Sequence, residues 1–514
     1  MSVRTAITRL GRALLPAMTL AAVAPAAAQQ GLTAQGLTIQ DVARTAAAES
    51  PNVRLGVRQA EIARGALLAA GGQFDAQLKS SVASGRDNAL AFAPAGAVSS
   101  VQTSKVTYGL SLAKPLRSGM MVSPEVSLTQ LQPSTAAGLV TNRAAASLSV
   151  LMPLLRNRGG GLARASERSA EGEYDATVLD LRYTIASGVY DAVVAYWGYL
   201  AAAKRLEVYA GSEQRAARMV EETRALVRAE ERTAADLQQV RANLATKRVT
   251  RISAEQSLIE ARQQLGLAMG VPAEAIMTLP LPSTDFPTLR WDTAAAAPTA
   301  RWVAEAFARR ADLAAAARRR EAAQVTLDAS QRDVRPQLDL SATIGYAGLE
   351  RGTGVDQFFA PLAHNRSGLN SSVQLGYQFP ITSAAARGRA LQAASAYEQR
   401  RIAYDDLSRR ISAGVAVAAE ALRHSLLGLK ESEDAVTLSR ATVESEKRKL
   451  QLGMSTLFDV IQAEDALTNA LLAEITGQRN YAVAIASLRF QIGTLVPLDG
   501  DRVVVNVDEL VTPP

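Results

Sequence analysis

The chain has 514 residues, with 56 Lys+Arg against 49 Asp+Glu, no cysteine and two histidines. A chain without cysteine has no disulfide framework, no thiolate nucleophile, no Cys-bound zinc and no Cys-linked lipid anchor. Two histidines do not make a multi-histidine metal site, and 48% hydrophobic with 20% charged residues describes a folded chain.

The N-terminus reads as an address. Arg4, Arg9 and Arg12 form a positive region, Ala13 to Val23 an apolar one, and Ala26-Ala27-Ala28 a cleavage site. Residues 1–28 are therefore expected to be a signal peptide, with the mature chain starting near Gln29. Beyond it no uncharged apolar run reaches the ~18 residues of a membrane-spanning helix. Without the three arginines the formal charge falls from +7 to +4. That excess is too small for a nucleic-acid surface, and no basic patch with interleaved aromatics appears.

A helix is expected over about 38–73, interrupted at Ser50-Pro51. Strands follow over about 75–153. Val106, Tyr108, Leu110 and Leu112 alternate with Thr107, Gly109 and Ser111, and Leu148, Val150 and Met152 with Ser147 and Ser149. A long helix over about 162–228 comes next, at roughly 1.5 Å per residue about 100 Å of it. Two adjacent apolar stripes run along it, one through Val178, Ile185, Ala192 and Tyr199, the other through Leu179, Ala186, Val193 and Leu200. Two stripes mean neighbours on both sides, as in the wall of a tube, although an extended coiled-coil dimer or bundle gives the same period. After a tip, a shorter helix is expected over 234–269.

A Pro-rich linker, 271–298, leads to a second copy. Leu226 to Val271 aligns with Lys449 to Thr494 at a constant offset of about 223 residues, so that Thr233 meets Thr456, Asp236 meets Asp459 and Gly270 meets Gly493. The second repeat, 299–493, runs helix, strands over 336–380, long helix 388–452, tip and helix 457–492, before a tail of 494–514. Leu338, Leu340, Ala342, Ile344 and Tyr346 alternate with Gln337, Asp339, Ser341 and Thr343. Period two with one apolar face fits a half-buried sheet, or a barrel with lipid outside and water inside. The export signal favours the barrel, and so few strands require several chains to close one. In each repeat the two shorter helices, stacked end to end, match the long one in length, giving a cylinder of continuous and paired helices.

Three stretches carry a family resemblance: Leu37-Thr38-Ile39-Gln40-Asp41-Val42-Ala43; Phe379-Pro380-Ile381 leading to Ala386-Arg387-Gly388-Arg389-Ala390; and Leu450-Gln451-Leu452-Gly453-Met454-Ser455-Thr456-Leu457-Phe458-Asp459-Val460-Ile461-Gln462-Ala463. The chain resembles the TolC-like outer-membrane efflux proteins. The resemblance implies a mixed α/β, mainly α fold with two repeats per protomer. It implies a homotrimer in which a 12-stranded β-barrel in outer-membrane lipid continues into a long α-helical barrel in the periplasm. A periplasmic adaptor and an inner-membrane transporter are the implied partners. The first half departs from the pattern by about 33 extra residues, with an added hairpin around Lys114-Pro115-Leu116-Arg117-Ser118-Gly119. That pair either widens the barrel or stands outside the membrane.

In the family, acidic residues line a constriction at the periplasmic end. Asp459 matches one such aspartate, Gln462 stands where a second often lies, and Asp236 matches the acidic partner in the first half. Leu450 and Ser455 replace a tyrosine and an arginine that form locking links. Thr233-x-x-Asp236 and Thr456-x-x-Asp459 equally read as capping boxes, Thr at the N-cap and Asp three residues on. A capping carboxylate can also face a lumen. Gly453 is expected to supply the positive φ that ends the long helix. Its first-half counterpart, Arg228-Ala229-Glu230-Glu231-Arg232, lacks a glycine, so a turn capped by charge or a helix that runs on is expected there. Gly270 and Gly493 are expected to close the two shorter helices. Gly453, Met454, Ser455, Thr456, Arg228 and Glu230 are the candidates for adaptor contact. His364, with Pro361, is expected in a loop, and His424 on a solvated helix face.

The expected function is a passive exit duct for drugs or other small molecules, driven by an inner-membrane pump. The alternatives are the duct of a type I polypeptide secretion system and a trimeric coiled-coil structural or adhesive protein of the surface. No nucleophile–base pair or cofactor motif is found, so no enzyme and no cofactor are expected.

Overall fold

The computed structural model describes residues 36–92, 98–133, 140–288, 299–363, 368–496, 498–499, 502–503 and 510–514. The signal-peptide segment and His364 lie outside these residues.

Each half begins with a helix of 11 residues, α1 (Ile39–Glu49) and, in the second half, α6 (Thr299–Arg309). After a break come α2 (Pro51–Gly71) and α7 (Ala311–Asp333). Pro51 has no N–H to give the preceding helix, so the break at Ser50 is written in the chain. In the first half β1 (Gln77–Phe92), β2 (Val98–Pro115), β3 (Met121–Pro133) and β4 (Thr141–Pro153) follow. The second half supplies β5 (Gln337–Arg351) and β6 (Asn370–Gln378), separated by α8 (Val355–Ala363). Pro361 thus belongs to a helix, against the loop expected from sequence. Its short apolar segment packs on the sheet through Phe358 and Leu362, with Pro361 buried.

The six strands form one antiparallel sheet in the order β1-β2-β3-β4-β5-β6. The expected extra hairpin is the tight turn between β2 and β3, closed by Leu116 N–H to Met120 O at 2.8 Å and Gly119 N–H to Leu116 O at 2.8 Å.

The long helices are α3 (Ala165–Arg228), 64 residues, and α9 (Ala384–Gln451), 68 residues. At about 1.5 Å per residue they extend roughly 96 and 102 Å. Each folds back through a tip onto a helix of 36 residues, α4 (Ala234–Met269) and α10 (Leu457–Ile492). Gly270 and Gly493 end these helices in the left-handed conformation, φ 73° and 83°. Both sit against the break in the preceding short-helix pair, Gly270 at Glu49 and Pro51, Gly493 at Arg309 and Arg310. Hence α2 and α4 stack end to end along α3, and α7 and α10 along α9.

Between these α5 (Ala273–Ile276) and an extended stretch return the chain, where Leu37 N–H donates to Leu281 O at 3.1 Å and Ser283 N–H donates to Leu37 O at 3.0 Å. A core around the junction gathers Ile39, Val42, Val189, Tyr196, Trp197, Leu265 and Met269. The C-terminal tail joins it through Leu495, Val496 and Leu510 rather than trailing free. A second core packs Trp302 and Leu313 against Ile411, Val415, Leu422, Ile485 and Leu488. Tyr196 Oη accepts from Thr284 N–H at 2.9 Å, and burial pushes its phenol pKa up. Arg310, 7% exposed, is bidentate to Asp312 at 3.0 and 2.7 Å and lies over the rings of Tyr183 and Phe490, clamping α7 to α3 and α10.

Candidate functional site at the helical tips

The tips are built by the same local chemistry in both repeats. α9 ends in paired bonds, Gly453 N–H to Leu450 O at 3.2 Å and Met454 N–H to Lys449 O at 2.8 Å, with Gly453 at φ 72°. This is the Schellman pattern, in which a left-handed residue lets the chain satisfy the last carbonyls. The first repeat does the same without glycine. Glu230 N–H bonds Val227 O at 3.2 Å, Glu231 N–H bonds Leu226 O at 3.0 Å, and Glu230 stands at φ 61°. The expectation of a charge-capped turn or a running helix is therefore corrected. Glu230 occupies the place of Gly453, and Arg228 is the last helical residue. No signal in the sequence marks this, because glutamate seldom takes that conformation.

Both capping boxes are formed. Thr233 Oγ1 accepts from Asp236 N–H at 3.2 Å, and Asp236 Oδ2 accepts from Thr233 N–H at 3.1 Å. In the second repeat Thr456 Oγ1 accepts from Asp459 N–H at 3.2 Å, and Asp459 Oδ2 accepts from Thr456 N–H at 2.9 Å and Thr456 Oγ1–H at 2.6 Å. The Thr456 hydroxyl, followed by its backbone N–H, holds the Asp459 carboxyl below its usual range. Asp459 keeps part of its surface in solvent, and Gln462, one turn on, is exposed.

The two link positions do something different from a polar lock between hairpins. Ser455 Oγ donates to Glu446 Oε2 at 2.7 Å, a contact within its own hairpin, and Lys449 Nζ donates to Glu446 Oε1 at 2.7 Å. Those two bonds, Lys449 first, hold the Glu446 carboxyl below its ordinary value. Leu450 packs with Leu457 and Ile461 against Met219, Val220, Leu237 and Val240 of the first hairpin. Between hairpins the tip is thus closed by apolar contact.

A set of charges missed in the sequence lies just above. Glu464, 8% exposed, accepts from Arg215 Nε at 2.7 Å and pairs with Lys447 Nζ at 2.8 Å. Arg215 belongs to the first hairpin and Lys447 to the second, so one buried carboxylate ties the repeats together. The partners stand 249 positions apart in the case of Arg215, beyond any local pattern. Lys247 and Asp465 form a second ion pair between the hairpins. Below these contacts a cleft of about 970 Å³ opens between the tips, lined by Arg215, Arg218, Glu222, Arg232, Lys447 and Gln451. Around it Leu452, Met454 and Phe458 are 74%, 75% and 57% exposed. Arg228 and Glu230 are exposed too. Among the described residues no group of acidic and histidine side chains is arranged to hold a metal, and His424 is on an exposed helix face near Glu420.

Two helical hairpins of about 100 Å join one sheet with alternating apolar and polar positions, whose outer strands β1 and β6 each have one unpaired edge among the described residues, and this defines a class of elongated helix-and-sheet chains. Residues 302–494 match the family model for outer membrane efflux protein. The fold matches the outer-membrane channel OprN with a TM-score of 0.66 and 16% identity, over 89% of this chain and 90% of that one. It matches the CmeC outer membrane channel of Campylobacter jejuni at 0.64 and 15%, over 89% and 85%, and the outer membrane protein VceC of Vibrio cholerae at 0.63 and 16%, over 88% and 96%. No curated protein sequence matches the chain significantly. The resemblance to the TolC-like outer-membrane efflux proteins drawn from the sequence is thereby shown.

Proposed function

We propose that the chain is the outer-membrane channel of a tripartite efflux system. Three copies form a passive exit duct for drugs or other small molecules, anchored by its sheet in the outer membrane and reaching the periplasm through its helices. The duct does no chemistry and carries no cofactor; energy comes from an inner-membrane pump joined through a periplasmic adaptor. The observation that carries this reading is the joining of two ~100 Å hairpins to a one-face-apolar sheet, in a chain whose residues 302–494 match the efflux family. The exposed apolar side chains Leu452 and Met454 at the tip suit a partner protein. Three Asp459 carboxylates near a common axis would favour cations, and their low pKa keeps them charged in a neutral periplasm.

Planar-bilayer conductance of purified protein is the test. The expected result is a trimer extracted by detergent alone, with cation-selective conductance whose selectivity weakens in Asp459→Ala. Unchanged selectivity removes the gate assignment. A buffer-soluble, non-conducting particle overturns the channel and leaves the structural reading.

A further inference from the structure

The register places the added hairpin in phase with the rest of the sheet. Val82 faces Tyr108, Tyr108 faces Leu128, and Leu128 faces Ala144, so one row of a single face crosses β1 to β4. A neighbouring row takes Leu110 to Val126, Ala146 and Tyr346. On the opposite face Ser81, Thr107, Thr129 and Arg143 stand at the intervening positions. An excursion in water has no need to keep its apolar residues on the face the other strands use.

A second observation ties the hairpin to the same wall. Helix α8 packs across β4 and β5. Its Phe358 ring meets the Tyr108 ring edge-on at 5.5 Å, and Tyr346 Oη donates to Leu362 O at 3.0 Å. Both tyrosines point from the apolar face, so α8 lies on that face. Its own outer side carries Val355 and Phe359, 74% and 51% exposed. Asp356 and Gln357 are exposed in its first turn, so the helix is apolar along most of its outer side with a polar start, a pattern that suits the hydrocarbon boundary at the outer end of the sheet rather than bulk water.

We propose that all six strands, the added hairpin included, form the membrane wall, with acyl chains against the apolar face and α8 lying on that face at its outer end. The proposal rests on the channel reading above and deepens it. Three copies then close an 18-stranded barrel from six strands each. With strands about 4.8 Å apart and tilted about 40°, its diameter is about 36 Å, against about 24 Å for 12 strands. Cross-section grows about two-fold, so the outer-membrane end admits bulkier solutes than a four-stranded protomer allows.

The cysteine-free chain suits single-cysteine labelling. Val82→Cys, Leu110→Cys, Phe359→Cys and, as a reference, Ile344→Cys are labelled with bimane and reconstituted in phosphatidylcholine vesicles with brominated chains. Ser81→Cys and Thr107→Cys report the opposite face through iodide quenching. Lipid quenching at Val82 and Leu110 within two-fold of that at Ile344, with iodide reaching Ser81 and Thr107, is the expected result. Iodide quenching at Val82 and Leu110 while Ile344 is lipid-quenched overturns the proposal and leaves the channel standing. If Ile344 is itself unquenched by lipid, the channel reading fails first. Phe359 reached by iodide and not by lipid overturns the placement of α8.

Discussion

Glu230 holds a backbone conformation that costs a non-glycine residue about 1 kcal/mol or more, while Gly453 holds the same place in the second repeat without that strain. Glu230→Gly is therefore expected to stabilise the first tip by about 0.5–1 kcal/mol, seen as several-fold slower hydrogen exchange of the amides that close the turn. Gly453→Ala should loosen the second tip by a similar amount. Asp459 makes a pH prediction. A carboxyl held below its unfolded value adds stability above that value and loses it as pH falls through its folded one. The start of α10 should therefore be protected at neutral pH and fray below about pH 4, and Asp459→Asn should abolish this acid dependence in the same exchange measurement. What the sequence made readable at this scale were the threonine and aspartate of each cap, since their three-residue spacing is itself the geometry of the box. Glu230 was illegible because its conformation is imposed by the hairpin and not by its own preference. Glu464 was illegible because its partners come from distant helices.

Among the elements, the stacking of short helices against a break depends on two glycines that look alike in sequence. A Cβ on Gly270 would stand 2.3 Å from the Glu49 carbonyl oxygen, whereas one on Gly493 would meet its nearest atom, in Arg309, at 3.3 Å. Both substitutions pay for a positive φ, so Gly493→Ala should cost about 1 kcal/mol and Gly270→Ala at least twice that in thermal unfolding. The link between hairpins gives a further test. Glu464→Ala leaves the partly exposed Arg215 and Lys447 without their shared anion, and a loss of about 1–2 kcal/mol is expected. Glu464→Leu paired with Arg215→Met should recover much of it, because the unpaired charge rather than the missing bond carries the penalty. The long helices were legible from their sustained 3.6-residue period, and α4 and α10 from glycine at their ends. Helix α8 was not, since nine residues between two strands are too few to establish a period and Pro361 argues against a helix.

At the level of the whole molecule the two repeats meet in one core that the C-terminal tail completes. Leu510 is fully buried there, and the Arg489 guanidinium donates to Thr512 O at 2.7 Å. Removing residues 510–514 should lower stability by about 2–3 kcal/mol, measured as an earlier thermal transition with the tips unchanged in exchange. The matching helix order of the two halves was readable as an offset, and the sheet's alternation as a choice between soluble and membrane surroundings. How many strands share one sheet was not readable, because pairing between β4 and β5 joins residues about two hundred positions apart.

The protomer's sheet ends in two unequal open borders, 16 residues of β1 and nine of β6. In the ring of copies proposed above, where β1 of one copy would meet β6 of the next, seven residues of β1 would have no counterpart. The β1 border carries Arg86 and Asp87, charges that discourage a stray strand from docking. A nascent chain in transit displays the rest of both borders to any other copy it meets. On the channel reading, such a chain would need escorts that keep strands apart until a bilayer receives them, and overproduction should yield inclusion bodies wherever such escorts are scarce.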